Sequence, residues 1–127
     1  MSKTKAAALY GFWSSFGLTA YEENSVPSGD EAPFFPYLTY SAATDSFGGE
    51  VALSASLWYR GGSWVDANAK AEEISEAIGR GGIFLKCKGG AIWIKRGTPF
   101  AQSMGDPEDD LIKRKILNLS AEFITPD

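Results

Sequence analysis

Residues 50–96 read EVALSASLWYRGGSWVDANAKAEEISEAIGRGGIFLKCKGGAIWIKR, and this is the most informative stretch of the chain. Apolar and polar residues alternate over residues 51–60, which predicts a strand with one face in the core. Apolar residues then recur at helical spacing over residues 63–78, which predicts a helix. The short apolar runs 83–87 and 91–96 are joined through glycines, so they predict a tight hairpin.

The predicted helix has signals at both of its ends. Ser63 is a favourable N-cap residue, and Asp66 places a negative charge near the positive end of the helix dipole. Gly79 ends the helix, because glycine accepts the left-handed conformation that follows a last turn. One face of the helix is apolar, which predicts that it packs on the strands. Its members are Trp64, Ala67, Ala71, Ile74 and Ile78.

The flanking sequence adds a second helix and further strands. An apolar stripe from Leu9 to Phe16 predicts a helix over residues 4–16 that ends before Gly17. Strands are predicted over residues 18–21, 37–44 and 112–124, and long loops over residues 22–35 and 97–110. The fold class that follows is α+β, with two helices packed on one face of a largely antiparallel, mixed-order sheet. The length of the chain suits a single domain over residues 1–127.

Composition and charge narrow the class of protein. The chain has 127 residues and a net charge of -4, which argues against a specific nucleic-acid binder. Its one basic cluster, at residues 113–115, directly follows an acidic run at residues 106–110, so their charges are expected to cancel locally. No apolar run is long enough for a membrane span and no signal peptide is recognisable, so we expect synthesis in a cytoplasm.

Few residues offer chemistry, since the chain has no His and one Cys. Cys87 is interpreted as a small buried hydrophobe, the alternative being a reactive thiol. The acids Asp106, Glu108, Asp109 and Asp110 offer oxygen ligands for Mg²⁺ or Ca²⁺, which makes a metal-dependent hydrolase a distant alternative to a solvated loop. The glycines at 79–82 follow a helix, which fits a helix end better than a phosphate site. We therefore predict no enzymatic activity, cofactor, metal site or catalytic residue.

The aromatic residues indicate an association surface instead. Trp58 and Trp93 alternate with core residues, so both are predicted on the sheet face that the helices leave open. Together they predict one large apolar patch for association, the alternative being that both pack under the long loops. The loop 97–110 offers Phe100 as an anchor, and we expect the loop to become ordered on a neighbouring subunit. The candidate interface residues are Trp58, Arg60, Trp93, Phe100, Gln102 and Met104.

Strings over nearly the whole chain resemble a small family of structural proteins from tailed phages and prophages. The strings are AYEENSVP, PYLTY, DSFGGE, SLWYR, SW…ANAKAEEI, IGRGG, IWIKRGTPFAQSMGD, DD and IKRK. Genes of this family lie among the head-completion and tail genes. In size and element order the family is similar to the lambda-like tail terminators and tail-to-head joining proteins.

This resemblance implies a structural role in virion assembly at the phage neck or tail end. Such a protein caps the tail tube as a ring, hexameric in those relatives, and joins the tube to the head connector. The implied partners are copies of the chain itself, the tail-tube protein and the head-connector protein. The implied location is the virion, after synthesis in the cytoplasm of a bacterial host. A head-completion adaptor or a minor capsid protein is the alternative in the same setting.

Overall fold

The computed structural model describes residues 3–127, which form two α-helices and a six-stranded sheet. In chain order the elements are α1 (Lys5–Ser14), β1 (Thr19–Glu22), β2 (Tyr37–Tyr40), β3 (Glu50–Arg60), α2 (Val65–Ile78), β4 (Ile83–Cys87), β5 (Gly90–Gly105) and β6 (Ile112–Ile124). The strand order in the sheet is β1-β2-β3-β6-β5-β4. Only the β1–β2 pair is parallel among these described residues, so the predicted mixed, largely antiparallel α+β fold is confirmed.

Both helices pack on the same face of the sheet. α2 contacts the central strands β3, β5 and β6, whereas α1 contacts β1 and β4, which are the two edge strands. Because one helix reaches both edges, the sheet curls around the helices. The inner face holds the core, in which Leu57, Ile74 and Phe123 are fully buried. The predicted inward face of β3 is confirmed by the burial of Leu53 and Ala55 beside Leu57.

The helix α1 is held by a polar cap and an apolar stripe. The Thr4 hydroxyl accepts a hydrogen bond from the Ala7 N–H at 3.1 Å, which satisfies one free donor of the first turn. The stripe from Leu9 to Phe16 is buried as predicted. The helix itself ends at Ser14, two residues earlier than expected.

The predicted N-cap of the second helix is wrong. α2 begins at Val65 with Trp64 in the cap position, and no side chain caps this end. The Ser63 hydroxyl instead accepts from the Val65 N–H at 3.1 Å, one position before the cap. The C-terminal signal is confirmed, because Gly79 has a φ of 76° and its N–H donates to the Ser75 carbonyl.

The predicted loop over residues 97–110 is wrong for most of its length. β5 continues to Gly105, and residues 101–105 pair with residues 113–117 of β6 after a bulge between Arg96 and Ala101. The pairing resumes because β6 is long enough to lie beside residues 101–105 as well. No local sequence signal reveals this partner strand. Phe100 packs against the core of its own subunit, and not on a neighbouring subunit as predicted. The strand predicted over residues 37–44 is also too long, since β2 ends at Tyr40.

Candidate functional site

The sheet face opposite the helices carries a row of side chains across five strands. Its members, called here the cross-strand row, are Tyr21 of β1, Tyr37 of β2, Trp58 of β3, Arg114 of β6 and Met104 of β5. The register builds the row, since Trp58 stands opposite both Tyr37 and Arg114, and Arg114 stands opposite Met104. Side chains at paired positions lie on one face, close enough to touch.

Each member of the row contacts the next. The rings of Tyr37 and Trp58 stack at 6.0 Å between centroids with an 11° angle, and Tyr21 meets Tyr37 edge-on at 6.2 Å. The Arg114 guanidinium carbon lies 4.7 Å from the Trp58 ring centroid. Its Nη1 donates to the Met104 sulfur at 3.8 Å. Aromatic stacking contributes about 0.5–1.5 kcal/mol and a cation over a ring about 0.5–2 kcal/mol, so the row holds its own shape.

Hydrogen bonds fix the two central side chains of the row. The indole Nε1–H of Trp58 donates to the Thr39 hydroxyl at 2.9 Å, and Nε–H of Arg114 donates to the Ser56 hydroxyl at 3.0 Å. Burial, and next the neighbouring Tyr21, raises the pKa of the Tyr37 phenol. A surface whose side chains are already fixed loses little conformational entropy when a partner binds.

A shallow cleft of about 150 Å³ lies at the end of the row. Its lining residues are Trp58, Met104, Gly105, Asp106, Pro107, Ile112 and Arg114. The predicted residue Arg60 borders this end of the sheet and pairs with Asp109 at 3.3 Å. The structure thus brings three predicted interface residues, Trp58, Arg60 and Met104, to one corner of the open face.

The acidic run serves the turn between β5 and β6. Asp106 Oδ1 accepts from the N–H groups of Glu108 at 2.8 Å and Asp109 at 3.1 Å. Asp109 Oδ1 accepts from the Leu111 N–H at 3.0 Å, and this bond, with the nearby Arg60, lowers the pKa of Asp109. Within residues 3–127 no group of three His, Cys, Asp or Glu side chains is placed to hold a metal ion.

Trp93 lies on the same open face as Trp58 but at the opposite corner. Trp58 pairs with Arg114 and Trp93 with Glu122, eight positions further along β6, which is about 27 Å at about 3.4 Å per residue. The prediction of a single patch containing both tryptophans is therefore wrong. Trp93 has its own cluster, in which it stacks on Phe84 at 5.3 Å and lies 4.3 Å below the Lys95 ammonium.

Gly82 permits the close packing of this second cluster. Trp93 Nε1–H donates to the Gly81 carbonyl at 3.0 Å. A Cβ at Gly82 would lie 2.4 Å from the Ile94 carbonyl oxygen and 2.8 Å from Trp93 Nε1, and the backbone there has a φ of 82°. Any larger residue would displace the tryptophan. Phe84 remains 60% exposed, so the cluster presents an apolar surface to solvent.

Three residues of the row were not among the predicted interface positions. Arg114 was grouped with its neighbours as a cluster cancelled by the acidic run, but β6 splits the three cations between two faces. Lys113 and Lys115 lie on the helix side near Trp64, at 5.8 and 5.9 Å from its ring centroid. Strand alternation was the available signal for this split. Tyr21 and Tyr37 had no comparable signal, because the contacts of Tyr37 with Trp58 and of Tyr21 with Tyr37 depend on strand pairing.

The remaining predicted residues have different surroundings. Gln102 is exposed, and its Oε1 accepts from Asn118 Nδ2 at 3.0 Å on the open face. Phe100 lies towards α2, so it is not part of the cross-strand row. Cys87 is buried as expected. None of the helices described here, within residues 3–127, is long and apolar enough to cross a membrane.

No family model, curated protein or solved structure matches the chain. The open face combines Trp, Tyr and Arg side chains, which are the residue types that contribute most to protein–protein binding. The chemistry that this arrangement supports is the binding of another protein surface.

Proposed function

We propose that the chain is a structural protein of the phage neck or tail end that caps the tail tube and joins it to the head connector. In this proposal identical copies form a ring, and the chain catalyses no reaction. The observation that carries the proposal is the cross-strand row, a fixed and partly exposed aromatic and cationic surface on the sheet face opposite the helices. Uncovered surfaces of this composition favour association with another protein. The family resemblance supplies the phage setting.

The test removes the gene from the phage or prophage that encodes the chain and supplies the protein separately. Without the chain, electron microscopy is expected to show filled heads and unattached tails, and wild-type protein is expected to restore joined particles. A label on the supplied chain should appear at the head–tail junction. A label on the head shell would favour a minor capsid protein, and unchanged particle yield would refute the proposal.

A pair of variants connects this test to the surface. Trp58→Ser removes the centre of the row and is expected to reduce the yield of joined particles. Phe47→Ser is the matched control, since Phe47 is 64% exposed and its N–H donates to the Thr125 carbonyl, which follows the end of β6 away from Arg114. Equal yields of joined particles from the two variants would show that the cross-strand row is not needed for head–tail joining.

A further inference from the structure

Part of the sheet edge has no partner strand. β4 pairs with β5 only as far as Ile94, so the outer side of β5 from Lys95 to Gly105 is open within the described chain. An open strand edge presents unpaired N–H and C=O groups, which accept an extended segment from another chain. This stretch is the one that the sequence predicted as a loop.

A groove runs between this open edge and α2. It consists of two adjoining cavities of about 350 and 420 Å³, and both are lined by Ser75 and Phe100. Arg80 and Arg96 lie at one end, and Arg96 Nη1 donates to the Ser75 hydroxyl at 2.9 Å. Glu72 lies towards the other end. The groove therefore has a basic end and an apolar centre at Phe100.

The chain separates its charges by segment. Residues 6–59 contain no Lys or Arg and six acids, which are Glu22, Glu23, Asp30, Glu31, Asp45 and Glu50. Residues 77–105 contain no acid and five bases, which are Arg80, Lys86, Lys88, Lys95 and Arg96. The strand order places the first segment at the β1–β2–β3 side of the sheet and the second at the β5–β4 side. The sheet thus has an acid-rich β1–β2 end and a base-rich β5–β4 end, and the two segments meet where Glu50 pairs with Lys95.

The connection between β1 and β2 lies at the acid-rich end of the sheet. This acidic segment, residues 22–35, carries exposed Glu23, Asp30 and Glu31 and ends at Phe34, which is 92% exposed. Within residues 3–127 the ion pairs are Arg60–Asp109, Lys70–Glu73 and Lys95–Glu50, and none of them uses an acid of this segment. Its charge and its exposed ring are both available to a neighbour.

We infer that the acidic segment of one copy docks in the groove between α2 and β5 of the next copy. The acids face Arg80 and Arg96, Phe34 enters the apolar centre beside Phe100, and the segment lies along the open edge of β5. The two surfaces differ and are built by different strands, so the contact is head-to-tail and repeats from copy to copy. A contact of this kind closes a ring when its rotation permits. The inference rests on the proposed ring and specifies its subunit contact.

Charge reversal on either surface tests the contact. Arg80→Glu with Arg96→Glu, or Glu23→Lys with Glu31→Lys, is expected to weaken self-association at least about tenfold, because like charges then meet. Glu108→Lys with Asp110→Lys is the matched control for the reversal of Glu23 and Glu31, with the same charge change at the β5–β6 turn. Sedimentation of the full chain measures all three. Raising salt from about 0.01 M to about 1 M, which shortens the screening length from about 30 to about 3 Å, should also weaken wild-type association.

A mixture of the two reversed variants gives the sharpest result. Every contact between unlike variants joins opposite charges again, so an equimolar mixture is expected to recover wild-type assembly with alternating subunits. Assembly that neither reversal weakens, or that the mixture fails to recover, overturns this contact and leaves the ring proposal standing. A wild-type chain that stays monomeric in low salt at high concentration overturns both.

Discussion

Residues 22–35 and residues 97–110 look alike in sequence, yet only the first is an irregular connection. Both contain Pro, Gly and several acids, and both predict loops. The second segment nevertheless extends β5 to Gly105, whereas the first has only the short 3₁₀ turn Gly29–Glu31. Each also carries a large aromatic side chain, Phe100 packed against the core and Phe34 in solvent.

The difference lies in what each segment meets. Residues 101–105 lie beside residues 113–117, in the first half of the thirteen-residue strand β6, which provides a backbone partner at every position. Residues 23–36 join two parallel strands and must return along the molecule, so no strand runs beside them. Tertiary pairing therefore decides between two segments that local composition does not distinguish.

Replacing eight residues in each segment is expected to show the largest difference between them. An equal-length Gly-Ser sequence at residues 98–105 is expected to cost at least about 4 kcal/mol of unfolding free energy, from the lost Phe100 ring and from glycine in a strand. The same replacement at residues 24–31 should cost about 1 kcal/mol or less. Urea denaturation measures both, and equal losses would contradict the assignment of residues 98–105 to β5.

The partner strand can be weakened directly. Leu117 is fully buried and stands opposite Ala101, where β5 resumes its pairing after the bulge. Leu117→Ala is expected to lower the unfolding free energy by about 2–5 kcal/mol, because a cavity remains in the core. Leu111→Ala is the control at an exposed leucine, with an expected loss under about 0.5 kcal/mol. A loss at Leu117 no larger than the control would exclude this packing.

The cross-strand row shows what β5 contributes to the open face, since Met104 completes it. Trp58→Ser is expected to cost about 1–2 kcal/mol of monomer stability, through its stacking and cation contacts, and to weaken assembly more strongly. Denaturation and sedimentation at equal protein concentration separate the two effects. Trp93→Ser provides the comparison with the other corner. Unchanged assembly of Trp58→Ser would show that the row serves stability alone.

The smallest expected effect concerns the turn that ends the second segment. The Leu111 N–H, and next the Arg60 charge, hold the pKa of Asp109 below its usual range. A carboxyl with a lowered folded-state pKa stabilises the fold above its unfolded pKa of about 3.9 and loses this contribution as pH falls through the folded value. Wild type should therefore exceed Asp109→Asn in melting temperature near neutral pH, and the gap should narrow below about pH 4. A constant gap would contradict this role.

Local patterns were sufficient for the helices and the hairpin. The stripes of α1 and α2 and the glycine at the end of α2 need only neighbouring residues, so the sequence predicted them. The extent of β5 depends on β6, which follows it in the chain, and the bulge after Arg96 hides the alternation. The cross-strand row is even harder to predict from sequence, because the contacts of Trp58 depend on its register with both β2 and β6. The charges of each segment, by contrast, can be counted in the sequence. Only the strand order is then needed to place the acidic and basic segments on the sheet.

The contact of α1 with both sheet edges has a consequence for folding during synthesis. The carbonyl of Lys3 accepts a hydrogen bond from the Lys88 N–H, and α1 packs on β4. Because β4 ends at Cys87, the ribosome must make seventy-three residues beyond Ser14, the end of α1, before the aromatic face of α1 can be fully covered. Until then Phe12, Trp13 and Phe16 lack part of their buried surroundings, and exposed apolar surface of this kind favours aggregation and chaperone binding.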